Sequence, residues 1–179
     1  MIKRCSWVNL NNPIYVKYHD EEWGILKEDD NLLFEALALE ILQCGLSFEC
    51  VLNKREALNK AFDNFNLDMI INYDDNKLDI LMENKDIIRH KGKLLAIINN
   101  SKIFKEITLE YNGFINYLFK WTSGMVLNNE KIKNEISRLV TNDLIRRGMK
   151  FIGLKTIRSY LEAIGVINGH SDCDWQEVK

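Results

Sequence analysis

The chain has 179 residues, of which 46% are hydrophobic and 28% charged, and its formal net charge is −2. This composition supplies enough apolar material for a packed interior and excludes a disordered or fibrous protein. No apolar run approaches the roughly 18 residues that a membrane span needs, and no apolar segment of the kind found in secretory signals follows the basic N-terminus. We therefore expect a cytoplasmic protein whose cysteines are free thiols or metal ligands rather than disulfides.

Apolar residues recur at helical spacing along most of the chain, which has a single proline, Pro13, so we predict an all-α fold. Asp29 and Asp30 can cap a helix that stops near Gly45, and another helix starts near Ser47. Further helices are predicted between Asp63 and Asp86, from an Asp86 cap through Ile103, from Phe114 to Trp121, from Ile132 to Arg147 and from Thr156 to Ile164. Both ends are expected to be irregular, and residues 1–179 to form one domain.

The charges are segregated along the chain although they nearly cancel. Residues 63–86 are mostly acidic, whereas residues 144–161 carry basic side chains and no carboxylate. Arg89, Lys91 and Lys93 form a second basic group. Solvated helix faces are the ordinary explanation of such runs, but the arrangement also allows one positive surface for a nucleic acid.

Glu40 lies on an apolar face of its predicted helix, where its neighbours include Ala36 and Leu37. Burying a carboxylate there costs roughly several kcal/mol unless it finds hydrogen-bond donors or a cation. Glu40 is therefore either a structural group that caps a helix or pairs with an arginine, or part of a pocket for a cationic or N–H-rich ligand. Glu35, earlier on the helix, is expected to be solvated.

Aromatic residues concentrate near the N-terminus and just after the helix that carries Glu40. They are Trp7, Tyr15, Tyr18, Trp23 and Phe48. Core packing explains most aromatic clusters, whereas Tyr15 and Tyr18 suit a cavity lining because a phenol offers both a ring face and a hydroxyl group.

The two ends of the chain carry residues that bind metals. They are Cys5, His19, His170 and Cys173. A Cys₂His₂ set is typical of a closed structural zinc site, and an ion there would join the termini. The alternative is a group of unrelated polar residues, because neither Cys–His pair has a specific spacing. Cys44 and Cys50 lie among apolar residues and are expected in the core.

A short turn from Arg147 to Thr156 joins two predicted helices. Its glycines let backbone N–H groups approach a ligand closely, and a helix N-terminus follows at Thr156. With Lys150 and Lys155 nearby, this turn can bind a phosphate without reading base sequence, although an ordinary helical hairpin has the same pattern.

Several motifs along the chain are informative when taken together. They are residues 5–7, 13–24, 39–40, 45–47, 88–93 and 148–153, and the most specific is the Y-x-x-Y-H-D-x-x-W-G stretch from Tyr15 to Gly24. Together they resemble the DNA-3-methyladenine glycosylase I family, and the likeness runs from Cys5 to Cys173. The resemblance implies a helix-hairpin-helix fold with two helical lobes, a structural Zn²⁺ site joining the termini, and excision of 3-methyladenine from alkylated double-stranded DNA.

The resemblance also implies roles for particular residues. Glu40 matches the carboxylate that contacts the base, and the aromatic walls of the pocket match Tyr15, Tyr18 and Phe48, with Trp7 beside them. The zinc ligands match Cys5, His19, His170 and Cys173. Contacts with DNA are expected from Leu46, Lys150, Gly153, Lys155, Arg89 and Lys91, with Leu46 filling the gap left by a flipped base.

The expected mechanism follows from the positive charge of adenine methylated at N3, which makes the base a good leaving group without protonation. Each cation–π contact attracts such a ring by about 0.5–2 kcal/mol, and Glu40 adds to this attraction, so neutral adenine gains less. No lysine suggests a Schiff base, so we expect a monofunctional enzyme, monomeric and with no membrane partner.

Two other classes of protein stay open at this point. One is a non-catalytic, zinc-stapled module that binds damaged DNA. Two departures from the family pattern favour it: Phe48 replaces a tryptophan, and only two residues separate His170 from Cys173 instead of the usual three. The other is a small helical protein-interaction domain.

Overall fold

A computed structural model describes residues 3–171 and 173 of the chain. The helices are α1 (Pro13–Glu21), α2 (Asp30–Gln43), α3 (Phe48–Leu52), α4 (Arg55–Ala61), α5 (Leu67–Ile70), α6 (Asp75–Glu83), α7 (Lys91–Tyr111), α8 (Phe114–Thr122), α9 (Glu130–Arg146) and α10 (Leu154–Ala163). A 3-10 turn spans Asp63–Phe65. Within the described residues the only β pairing is an isolated bridge between Leu127 and Ile167, so the all-α prediction is confirmed. No helix in this part of the chain has the length and apolarity to cross a bilayer.

Helix α2 begins where the sequence predicts, because the Asp29 carboxylate accepts the backbone N–H groups of Asn31 and Leu32 at 3.0 Å each. Most of its residues are buried, and it packs against α3, α7, α8 and α10. A helix that is apolar on nearly all sides belongs in the centre of a domain. The position of α2 therefore carries Glu40 into the interior.

Some predicted helix starts differ from the structure, and one helix was not predicted. The cap of α7 is His90, whose Nδ1 accepts the Lys93 N–H at 3.3 Å, and not Asp86. Helix α10 begins at Leu154 rather than Thr156, after Gly153 in extended backbone. The N-terminal region, expected to be irregular, contains α1, because Pro13 suits the first turn of a helix and the Asn12 side chain caps it.

Candidate active site

The N-terminal segment and helices α1, α2, α3 and α10 enclose a cavity of about 200 Å³. Its lining residues are Trp7, Tyr15, Tyr18, Trp23, Glu40, Gln43, Phe48, Ser159 and Glu162. The structure thus brings together every residue that the sequence assigned to base contact. Gln43, Ser159 and Glu162 were missed, although Ser159 and Glu162 are three residues apart and so share one face of α10.

Glu40 is 6% exposed and lies on the α2 side of this cavity. Within residues 3–171 and 173, no salt bridge and no side-chain hydrogen bond involves its carboxylate. Burial, helped by the negative charge of Glu162, raises the pKa of Glu40 to about 8. The structural alternative, in which Glu40 pairs with an arginine, is therefore wrong.

The arginine pair belongs to Glu35, for which the expectation of a solvated side chain is also wrong. Glu35 is 5% exposed, and its Oε1 accepts a hydrogen bond from Nε of Arg55 at 2.7 Å. The same guanidinium donates to Glu22 at 2.6 Å. Arg55 thus neutralises Glu35 and leaves Glu40 as the unpaired carboxylate of α2.

Aromatic rings form one wall of the cavity. The ring centroids of Tyr18 and Phe48 are 5.1 Å apart, and those of Trp7 and Tyr15 are 5.4 Å apart. Burial, followed by the charges of Glu49 and Glu40, raises the pKa of Tyr15 to about 12, so its hydroxyl stays neutral at physiological pH. The wall therefore offers electron-rich ring faces and neutral hydroxyl groups beside the Glu40 carboxyl group, which a bound cation would favour in its ionised form.

The two ends of the chain meet at a second cluster. Its members are Cys5, His19, His170 and Cys173, whose ligand atoms all lie within 4.8 Å of one another. The donor set fits zinc, because two thiols and two imidazoles complete a tetrahedral structural site. Asp20 strengthens the fit, since its Oδ1 is 2.9 Å from Nδ1 of His19 and can orient that imidazole toward an ion.

Trp23 connects this cluster with the cavity. Its ring packs edge-on against His170 at 4.6 Å and against Trp7 at 4.8 Å between centroids. Gly169 makes room for this ring, because a Cβ atom there would lie 2.6 Å from the indole. The joined termini therefore support the aromatic wall.

A groove of about 150 Å³ adjoins the cavity and shares Glu40, Gln43 and Ser159 with it. Leu46 and Lys155 line the groove, together with Cys44, Gly45 and Thr156. Cys44 is exposed because α2 ends at Gln43, so its predicted place in the core is wrong, and Cys50 is half-buried. Leu46 is 42% exposed, which leaves it available to a ligand in the groove.

Two asparagines of α7 hold the turn between α9 and α10 in place, and sequence reasoning missed both. The buried Asn100 side chain accepts the Lys150 N–H at 2.8 Å and donates to the Lys150 carbonyl at 2.9 Å. Asn99 donates to the Gly148 carbonyl at 3.1 Å. The Phe151 ring lies over Gly92, so the turn adjoins the basic segment at the start of α7.

The basic residues separate into paired and unpaired groups. Arg147 bonds to Glu110 and Asp143, and Arg158 bonds to Glu162 and Glu130. By contrast, several exposed cations form no ion pair within the described part of the chain, among them Arg89, Lys91, Lys150 and Lys155. These four are predicted DNA contacts.

Lys93 does not belong to this surface, contrary to expectation. It is buried, and its ammonium group donates to the backbone carbonyls of Leu42 and Cys44. Its charge therefore serves the end of α2 and is not available to a phosphate.

The cavity combines a buried carboxyl group with aromatic rings and adjoins a groove lined by Lys155, which is unpaired within the described residues. This combination is typical of the class of site that holds a nucleobase taken out of a nucleic acid. A sequence model of the methyladenine glycosylase family matches residues 7–177. The chain therefore belongs to the methyladenine glycosylase family.

Individual relatives agree with this assignment. DNA-3-methyladenine glycosylase 1 of Escherichia coli (strain K12) is 33% identical over 178 residues, covering 94% of each chain. A crystal structure of 3-methyladenine DNA glycosylase I superposes with a TM-score of 0.86 at 33% identity, covering 96% of this chain and 98% of that one. A structure of 3-methyladenine DNA glycosylase I from Staphylococcus aureus, solved to study 3-methyladenine recognition, also superposes with a TM-score of 0.86. The sequence identity is 32%, and the match covers 96% of this chain and 95% of that one.

Proposed function

We propose that the protein removes 3-methyladenine from alkylated double-stranded DNA by hydrolysing the N-glycosidic bond. The observation that carries this proposal is the Glu40 carboxylate, 6% exposed and without an ion-pair partner in the described residues, beside the rings of the cavity. A negative group in such a place is costly unless a cation arrives to neutralise it. A purine methylated at N3 is a cation with flat faces and N–H donors, which matches both features of the cavity.

The reaction follows from the charge of the lesion. The alkylated base flips out of the duplex into the cavity, where Tyr15, Tyr18, Phe48 and Trp7 contact its faces and Glu40 accepts its N–H groups. The N-glycosidic bond breaks with its electron pair going to the positively charged base, which leaves as neutral 3-methyladenine. Water forms the new bond to the sugar carbon and loses a proton to solvent, so an abasic site remains. No lysine lines the cavity within the described residues, which supports a monofunctional enzyme that does not cleave the strand.

The DNA contacts are proposed on the groove beside the cavity. Lys155 and Leu46 line it, and Lys150, Arg89 and Lys91 are exposed and unpaired within the described residues. Helices α9 and α10 and their turn would act as a helix-hairpin-helix, in which Gly153 leaves backbone N–H groups open to a phosphate. One chain carries all of these groups, which supports action as a monomer, and we place that action in the cytoplasm.

Zinc is proposed as a structural ion held by Cys5, His19, His170 and Cys173. The support is the close approach of their ligand atoms and the contact between Asp20 and His19. A full set of protein ligands leaves no open position for substrate, so the ion would supply a cross-link between the chain ends rather than chemistry.

The experiment is chromatography of the bases released from methylated duplex DNA. The wild-type protein should release 3-methyladenine, and Glu40→Gln should release it at least about 100-fold more slowly because the carboxylate no longer attracts the cation. Binding of methylated duplex without release of any base would instead indicate the non-catalytic damaged-DNA-binding module. Full activity of Glu40→Gln would remove the role given to that residue.

A further inference from the structure

The cavity contains a second carboxylate, which no motif in the sequence singled out. Glu162 projects from α10 and lines the cavity together with Glu40 of α2. Its side chain is 22% exposed, so it is neither fully buried nor a free surface group. Two acidic side chains on facing helices therefore share one small space.

Arg158 positions the Glu162 carboxylate as part of a hydrogen-bonded group that extends to α9. Its Nε donates to Oε1 of Glu162 at 2.6 Å, one helical turn away. The remaining guanidinium nitrogens donate to Glu130 and Asn134 of α9, at 3.1 and 3.0 Å. Arg158 thus divides its charge between Glu162 and Glu130, and Glu130 also lies 3.7 Å from Nζ of Lys133. The charge of Glu162 still acts on Glu40, whose pKa it helps to raise.

We propose that Glu162 is a specificity-determining residue, whose negative charge adds to that of Glu40 and favours a cationic alkylated purine over a neutral one. This inference rests on the proposed function, because it concerns the same cavity and base. Arg158 fixes the carboxylate, so the added charge has a defined position. Long-range attraction between Glu162 and the bound base carries the effect, and no direct contact is required.

The other charged or titratable groups around Glu40 are few. Tyr15 and Tyr18 face it from α1, and Glu49 of α3 lies near Tyr15. Lys155 of α10 and the Cys44 thiol line the adjoining groove. The Lys93 ammonium, from α7, is bonded to the Leu42 carbonyl behind the cavity. Of these groups, Glu162 is the carboxylate that shares the cavity itself with Glu40.

The charge of Glu162 acts on a proton and on a cationic base in the same direction. It helps to raise the pKa of Glu40 to about 8, and it attracts a positive ring by a similar free energy. In Glu162→Gln, Glu40 therefore ionises at a lower pH, but the ionised cavity attracts a cation less strongly. At low pH, Glu40 must lose a proton to bind the cation, so its easier ionisation cancels the weaker attraction. At high pH, Glu40 is already ionised, and only the weaker attraction remains.

The test uses two stable probes and three variants. The cationic probe is 3,9-dimethyladeninium and the neutral probe is 9-methyladenine, and binding is measured by quenching of the fluorescence of Trp7 and Trp23. Glu162→Gln and Glu130→Gln each remove one carboxylate partner of Arg158, but only Glu162 lines the cavity. Glu162→Asp keeps the charge and checks for an effect of shape.

For Glu162→Gln we expect cation affinity at least about threefold below wild type at a pH near 9 and within about twofold of it at a pH near 6, because at the lower pH easier ionisation of Glu40 offsets the lost attraction. Affinity for 9-methyladenine should change less than about twofold at either pH. Glu130→Gln should match the wild type with both probes, and Glu162→Asp should keep the wild-type pH dependence.

Equal losses for both probes, or a loss that does not change with pH, would mean that Glu162 only supports the shape of the cavity and would overturn the proposal. If the Glu162→Gln protein did not fold, two other measurements would decide the proposal: the pH dependence of binding to Glu162→Asp, and the preference of the wild-type protein for the cationic probe over the neutral one. Because these measurements need no catalysis, they stay informative if the wild-type protein releases no base from DNA, a result that would count against the proposed function instead.

Discussion

The Nζ atom of Lys93, in the first turn of α7, donates a hydrogen bond of 2.6 Å to the backbone carbonyl of Leu42, in the last turn of α2. The same ammonium group reaches the carbonyl of Cys44. The last carbonyls of a helix lack partners within the helix and carry its negative dipole end, so a cation is well placed there. Glu40 lies half a turn earlier, and Lys93 therefore fixes the end of the helix that positions it.

Replacing Lys93 with methionine removes this donor and leaves the buried carbonyl of Leu42 and the partly buried carbonyl of Cys44 without it. We expect Lys93→Met to lower the free energy of unfolding by about 1–3 kcal/mol, measured by denaturant titration. Lys91→Met, at an exposed position on the same helix, should leave stability within about 0.5 kcal/mol of wild type. A Lys93→Met protein as stable as the Lys91 variant would contradict the capping role.

Lys150 and Lys155 should bind phosphates without reading base sequence. Removing one lysine–phosphate interaction reduces the slope of log affinity against log salt by about 0.9. Lys150→Ala with Lys155→Ala should therefore weaken binding to any duplex and lower that slope by about 2, measured by fluorescence anisotropy. Lys60→Ala, on α4 in an exposed ion pair with Glu56, is the control. An unchanged slope would move the DNA surface to another face.

The metal prediction concerns the cluster at the chain ends. Purified protein should contain zinc, and Cys173→Ser should lose it and melt roughly 5 °C or more below wild type, because an ion held by both termini stabilises the folded chain. The control is Cys44→Ser, at an exposed cysteine outside the cluster. Mass spectrometry for metal and thermal melting give independent readouts. Wild-type protein that stays free of metal after growth in zinc-supplemented medium would exclude the site.

Gly165 and Gly124 have similar backbone conformations but differ in how closely other atoms surround them. Their φ angles are +79° and +73°, which strain any L side chain. A Cβ at Gly165 would lie 2.5 Å from the backbone nitrogen of Leu26, whereas nothing lies within 4 Å at Gly124. Gly124→Ala should cost about 1 kcal/mol in unfolding free energy and Gly165→Ala about 3 kcal/mol. Similar costs would show that the segment at Leu26 moves away easily.

Local signals predicted some features of this molecule well. The Asp29 cap and the apolar surroundings of Glu40 depend on residues within one helix, and the sequence shows them directly. The residue types alone also suggested an aromatic cavity lining and a Cys₂His₂ metal site, but each had a structural alternative. The family resemblance favoured the functional interpretation in both cases.

Features that depend on packing between helices could not be predicted. Glu35 and Glu40 both have apolar neighbours on α2, and only the position of Arg55 decides which of them is neutralised. The hydrogen bonds between the Asn100 side chain and the Lys150 backbone join residues 50 positions apart. The sequence around an asparagine inside a helix does not indicate such a partner. The N-terminal cap of α7 is His90 and not the predicted Asp86, because the His90 imidazole accepts a hydrogen bond from the N–H group of Lys93.

The unpaired charge of Glu40 should cost the folded protein stability in a way that depends on pH. Its pKa is about 8 in the folded state against an ordinary value of 4.5, so between these values the folded chain binds more protons than the unfolded chain. The free energy of unfolding must then fall as pH rises through this window. Glu40→Gln removes the titration but keeps the shape of the side chain.

We therefore expect Glu40→Gln to have stability close to that of the wild type at a pH near 4.5, and to be more stable by about 2–4 kcal/mol above a pH of about 8. Urea titrations across this range measure the difference. Glu35→Gln, on the same helix, should instead be destabilising, because it leaves Arg55 without its buried partner. A stability difference for Glu40→Gln that stayed constant with pH would show that Glu40 does not change charge in this window.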